Sequence, residues 1–158
     1  SVGRIATAQS ENNFFASSIS NFAISKNGDY KKLYPKSIVS FNNYEKYEFI
    51  FEKEENINQF EILKNFFPGS KISIKNVRVF NDKNNKLNLE NLVIHSLGSY
   101  IVNQTNDEVV FFAGNLKNDI LKFNLSKEFL KINKITLDLK LERLSLSNNA
   151  ICNNLDEN

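Results

Sequence analysis

The chain is poor in the residues that build covalent and metal frameworks: its 158 residues include one cysteine, one histidine, two prolines and five glycines. A lone cysteine excludes a disulfide framework and a cysteine-based zinc site. Cys152 lies in a polar C-terminal stretch and reads as an incidental thiol. Zinc recruits several His or Cys ligands, and this chain supplies one of each. No nucleophile and base accompany His95. Its neighbours Val93, Ile94 and Leu97 place it in or beside a strand, half-buried and hydrogen-bonded. No catalytic residue, cofactor or metal site is therefore expected, and the domain is expected not to be an enzyme. No apolar run approaches the length of a membrane span, which argues against direct membrane insertion. Ser1 to Gln9 has neither the charged nor the apolar region of a signal peptide. The chain begins and ends as though cut from a longer multidomain protein, so residues 1–158 are expected to be one excised module. Arginine occurs only at Arg4, Arg78 and Arg143; every other basic residue is lysine. Together with abundant asparagine, this points to AT-rich codons in the source genome and makes Asn84-Asn85 and Asn148-Asn149 loop filler. A net charge of +2 is too mild for a nucleic-acid partner.

What is present is strand periodicity. Ile135, Leu137, Leu139 and Leu141 alternate with Thr136, Asp138, Lys140 and Glu142, a period of two with one face buried and one wet. Tyr47, Phe49 and Phe51 alternate in the same way with charged neighbours, Ile50 being the exception, and Leu121, Phe123 and Leu125 repeat the pattern. Ile72 and Ile74 continue out of phase as Val77 and Val79, which calls for a β-bulge near Lys75-Asn76. Further strands are expected at 17–24, 37–41, 57–63, 92–97, 100–103 and 108–112. Turn signals separate them, clearest at Asn27-Gly28-Asp29 and Pro68-Gly69. Only Ser126 to Lys131 reads as a helical turn, with Ser126 as its cap. Short strands at near-regular spacing predict an all-β fold, an antiparallel β-sandwich of jelly-roll type with one short helical turn.

Among polar residues, Glu52, Glu54 and Glu55 read as a solvated hairpin loop. Glu61, Lys75 and Arg78 read as a cross-strand ladder of ion pairs on the ribbon from Asn58 to Asp82, whose two strands meet at Pro68-Gly69. Asp29, Asp82 and Asp107 lie in loops where calcium could bind, but no D-x-D-x-D-G pattern is present. Aromatic residues carry the better binding signal. A sugar ring packs its C–H face on a flat aromatic side chain, and tyrosine adds a polar handle. Asp29, Tyr30 and Tyr34 share the loop-like stretch KNGDYKKLYPK, residues 26 to 36, and Tyr100 follows Gly98-Ser99 at another turn. These four are the candidate carbohydrate-binding residues.

The segment YEFIF-EKEEN-INQFEIL-KNFFPGS-KISIKNVRVF, residues 47 to 80, runs as an aromatic strand, an acidic turn, "I-x-x-F-x-I", a Pro-containing turn and "I-x-I-x-x-V-x-V". It resembles the carbohydrate-binding-like β-sandwich modules that accompany bacterial glycosyltransferases of cell-surface polysaccharide. AQSENNFFASSISNFAIS resembles their opening segment and ITLDLKLERL their closing strand. Such modules often carry an Arg and an Asp-Pro pair where this chain has Glu61, Leu63 and Lys64, so no binding residue is carried over. The resemblance implies a non-catalytic accessory domain of a capsule or O-antigen enzyme. Its partner would be a glycan or the other domains of its parent. Its location would be cytoplasmic, with any membrane association made through the parent. The alternatives are a structural or oligomerisation domain and a surface adhesin domain, neither binding sugar.

Overall fold

The computed structural model of the chain describes residues 19–41, 44–64, 66–114 and 120–142. Cys152, Asn148-Asn149 and the expected opening segment up to residue 18 lie outside the described residues. The fold is all-β and antiparallel, as the alternation requires. Its strands are β1 (Ile19–Lys26), β2 (Asp29–Leu33), β3 (Pro35–Phe41), β4 (Tyr44–Lys64), β5 (Lys71–Phe80), β6 (Asn84–Lys86), β7 (Val93–Leu97), β8 (Tyr100–Gln104), β9 (Glu108–Phe112) and β10 (Ile120–Glu142). They form one hydrogen-bonded sheet in the order β2-β1-β4-β10-β5-β9-β8, with β3 on β4, β6 on β5 and β7 on β10.

Two long strands organise the rest. β4 and β10 pair with each other along both their halves, and each half takes a different outer neighbour. The later half of β4 pairs with β1 and its earlier half with β3. The earlier half of β10 pairs with β7 and its later half with β5. Phe22 of β1 sits opposite Ile62, thirteen residues along β4 from Phe49. A flat strand would hold those positions roughly 40 Å apart at about 3.3 Å per residue. Instead the Phe22 and Phe49 rings stack at 3.9 Å. The sheet is therefore doubled over, and the half containing β2, β1 and β7 faces the half containing β3, β5, β9 and β8 across a shared core.

The core follows from the alternation. Phe22, Tyr47, Phe49, Phe60, Phe123, Ile62, Ile74, Ile135 and Leu137 are all buried. Phe60 stacks on Phe123 at 4.5 Å and on Phe22 at 5.4 Å, and each buried ring contributes about 1.5–3 kcal/mol through area removed from water. The bend lies where both long strands lose register, between Asn124 and Lys134 on β10 and between Gln59 and Ile50 on β4. Lys131 adopts φ +56° there, and its backbone N–H donates to the Asn56 side chain at 3.0 Å.

Several expectations are corrected at this bend. Ser126–Lys131 is bulged strand, not a helical turn, with Phe129 opposite Ile57. Six residues cannot nucleate a stable helix unaided, and pairing with β4 satisfies their backbone. Among the described residues the helical turn is a 3₁₀ turn at Leu89–Asn91, opened by the Asn88 side chain. Glu52, Glu54 and Glu55 lie inside β4, not in a hairpin loop, because the chain folds over there without reversing. The Asn58–Asp82 ribbon is not a hairpin either: β10 lies between β4 and β5.

The turn chemistry is as read. Asn27 and Gly28 have φ +54° and +91°, which suits the two-residue hairpin turn whose central residues both need positive φ. Phe67-Pro68-Gly69-Ser70 has Gly69 at φ +85° and a Ser70 N–H donated to the Phe67 carbonyl at 3.1 Å, a Pro-Gly turn of type II character. The bulge at Lys75-Asn76 is present. Thr136 and Asp138 face Arg78 and Lys75, one extra residue on β5, with Asn76 at φ +56°.

Candidate ligand-binding face

The four candidate sugar-binding residues do not form one cluster. Tyr30 and Asp29 lie on β2, not in a loop, because the Asn27-Gly28 turn closes a hairpin that pairs Tyr30 with Ser25 and Asp29 with Lys26. Tyr34 follows β2 and is 72% exposed. Tyr100 lies on β8, near the other edge of the sheet, with its ring 5.8 Å from that of Phe112. Asp29 lines a shallow depression with Ile24, Ser25, Lys26, Lys31, Glu55, Asn56 and Ile57. Its volume of about 180 Å³ falls below the roughly 300–1,000 Å³ of pockets that enclose small-molecule ligands. Lys31 bridges to Glu55 across it at 3.0 Å.

Tyr30 belongs to a larger arrangement. Phe60 and Phe123 point into the core, so Gln59, Glu61, Lys122 and Asn124, their neighbours along β4 and β10, point outward. Register then aligns two rows across the outer face of the first half-sheet. Tyr30, Ser25, Gln59, Asn124 and Val93 make one row. Lys32, Ala23, Glu61, Lys122 and His95 make the next. The first row is a hydrogen-bond chain across the strands. The Tyr30 hydroxyl donates to Gln59 Oε1 at 3.3 Å, Gln59 Nε2 donates to Asn124 Oδ1 at 2.6 Å, and Asn124 Nδ2 donates to the Val93 carbonyl at 3.1 Å. Each amide is thereby oriented by its neighbour.

In the second row Lys122 reaches Glu61 at 3.7 Å and lies 5.7 Å from the centre of the Tyr30 ring. The Tyr30 hydroxyl beside its ammonium, and then Glu61, hold the Lys122 pKa above its usual 10.5. Tyr30 is 39% exposed. His95 is exposed rather than half-buried, because β7 turns alternate side chains outward on the sheet's outer side. Glu61 pairs with Lys122, not with Lys75 or Arg78, so the expected ladder does not form: β10 separates them. Gln59, Lys122 and Asn124 are not among the binding residues expected from sequence. Alternation with Phe60 and Phe123 puts them on a wet face, but the register joining positions 59 and 124 is non-local.

Among the described residues no group of three or more His, Cys, Asp and Glu side chains is placed to hold a metal ion. Asp107 is ion-paired to Lys86 at 2.6 Å. No helix among the described residues is long and apolar enough to cross a membrane. Comparisons with protein-family models, with curated proteins and with solved structures find no match.

Proposed function

We propose that this domain is a non-catalytic carbohydrate-binding-like module, acting as an accessory domain of a glycosyltransferase that builds surface glycan, and that Tyr30 is its stacking residue. The observation that carries the reading is the row from Tyr30 through Gln59 to Asn124. An exposed aromatic ring stands at one end of a line of pre-oriented amides on a wide, open sheet surface. A sugar ring offers an apolar C–H face for the former and hydroxyls for the latter. Amides act as donor and acceptor at once, which suits a hydroxyl. An open face with one aromatic platform gives weak affinity, with dissociation constants near about 1 mM.

A neutral glycan array probed with the wild-type chain and with Tyr30→Ala tests this. Weak, glycan-selective binding that the substitution removes is the expected result. Absence of binding at millimolar ligand, or binding that Tyr30→Ala leaves intact, overturns it.

One observation favours the structural alternative. Edge strands β2 and β3 carry Lys31, Lys32, Pro35 and Lys36, which discourage edge-to-edge pairing. Strands β7 (VIHSL) and β8 (YIVNQ) carry no Lys, Arg or Pro and expose Val93, Leu97, Tyr100 and Val102. A mass that rises with concentration in analytical ultracentrifugation, without glycan binding, selects that reading.

A further inference from the structure

We propose that the outer face of the second half-sheet binds an acidic polysaccharide segment, anchored by Arg78. Register places Lys46, Asp138 and Lys75 in one row across β4, β10 and β5. Arg78 stands opposite Thr136 on one side of that row, and Lys140 opposite Ser73 on the other. The cations of the other ion pairs in this half, Lys71, Lys86 and Lys134, are matched by Glu142, Asp107 and Glu48. Lys46, Lys75, Arg78 and Lys140 form no ion pair with a described residue. Against these four charges stand two carboxylates without an ion-pair partner among the described residues. Asp138 is 8% exposed and accepts from Asn76 Nδ2 at 3.2 Å, and Glu108 accepts from the Ser73 hydroxyl. The face keeps an excess of positive charge.

Arg78 is the only arginine among the described residues, and its surroundings are specific. Its Nε donates to Asn76 Oδ1 at 3.1 Å and one terminal nitrogen to Asn84 Oδ1 at 3.2 Å. Asn76 is itself held by Asp138 and sits in the bulge at φ +56°. The guanidinium is thus fixed by neutral amide oxygens. Its orientation is set while no carboxylate pairs with it directly, Asp107 acting on it and on Lys75 only at longer range, and the rest of its donor fork remains for an anionic group.

Spacing selects the partner. Lys46 and Lys75 are two strand spacings apart, roughly 10 Å, and Arg78 and Lys140 are four residues apart along the sheet, roughly 13 Å. Duplex nucleic acid carries about one charge per 1.7 Å, and carboxylates set between the cations repel so dense an array. A glycan with widely spaced acidic groups meets the cations and avoids Asp138 and Glu108. This face lies on the other side of the doubled sheet from Tyr30 and does not depend on the neutral-sugar reading.

Calorimetric titration at low salt tests the proposal, using hyaluronan oligosaccharides, neutral dextran of equal length and poly(U) as probes. Hyaluronan is expected to bind and dextran not to bind at this face. Arg78→Gln with Lys75→Gln should weaken hyaluronan binding about tenfold, because two charge-assisted contacts are lost. Lys32→Gln with Lys127→Gln, the same charge change off this half-sheet, should alter it less than about twofold, as remote exposed charges are screened. A thermal melt shows whether each variant folds. Asp138→Asn, which keeps an oxygen for Asn76 while removing the negative charge, should tighten binding and supplies the test if the double variant unfolds. Equal weakening in both lysine-containing pairs, poly(U) binding tighter than hyaluronan, or no hyaluronan binding overturns the assignment.

Discussion

The two outer faces of the doubled sheet are built from the same two strands and carry different chemistry. On the Tyr30 face, β4 and β10 contribute Gln59, Glu61, Lys122 and Asn124. There Lys122 is matched by Glu61 and the amides bond each other. On the Arg78 face, the other halves of the same strands contribute Lys46, Asp138 and Lys140, and cations outnumber their partners. The core between the faces is continuous. What differs is the set of residues at alternate positions on either side of the bend, which packing leaves free to vary. A strand long enough to serve both halves therefore lets one chain present two unlike surfaces without a second domain.

The largest effect should come from what the faces share. Phe60 stacks on both Phe22 and Phe123. Phe60→Ala should destabilise the fold by about 3–5 kcal/mol, seen as a lowered urea midpoint, and should impair both faces together. A variant that lost binding on one face alone would show that the halves fold separately. Next comes a crossed comparison. Tyr30→Ala should remove neutral-glycan binding and leave hyaluronan titrations unchanged, while Arg78→Gln with Lys75→Gln should do the reverse. Each ligand's own face should show an affinity change of about tenfold, the equivalent of 1.4 kcal/mol.

A smaller effect is expected within the amide row. Asn124→Ala leaves Gln59 without its 2.6 Å acceptor and should cost about 1 kcal/mol of stability, with Tyr30 binding weakened because Gln59 is no longer oriented. The smallest effect is electrostatic. The hydrogen bond from Lys86 holds the Asp107 carboxyl below its usual 3.8, with Lys75 and Arg78 adding to it. A carboxylate with a depressed folded-state pKa stabilises the fold above its unfolded value, and that contribution is lost as pH falls through the folded value. Asp107→Asn should therefore narrow the difference in urea midpoint between about pH 5 and about pH 2.5, and only slightly, because the pair is exposed.

Much of this fold is legible in the sequence. Alternation marks the cores of β4, β5 and β10, the phase slip from Ile74 to Val77 announces the bulge, and Asn27-Gly28 and Pro68-Gly69 turn where their φ angles demand. Three things were hidden. β2 is exposed along nearly its whole length, so Asp29–Leu33 has no alternation to read. The bend leaves Glu52–Glu55 and Ser126–Lys131 looking like a loop and a helical turn, because bulged strand has neither period. The placement of β10 between β4 and β5 depends on pairings between distant segments, such as Ile135 with both Phe49 and Val79. That last gap also decides the candidate site. Tyr30 was identifiable as an exposed aromatic, but its alignment with Gln59 and Asn124, and that of Lys46 with Asp138 and Lys75, exists only once the register is known.

Amide chemical-shift mapping of the isotope-labelled chain, titrated separately with a neutral glucan oligosaccharide and with hyaluronan, tests the two-face account most directly. The account predicts that the first ligand moves signals around Tyr30, Gln59 and Asn124, and the second those around Lys75, Arg78 and Lys140. Shifts from both ligands at the same residues, or none from either, would contradict it.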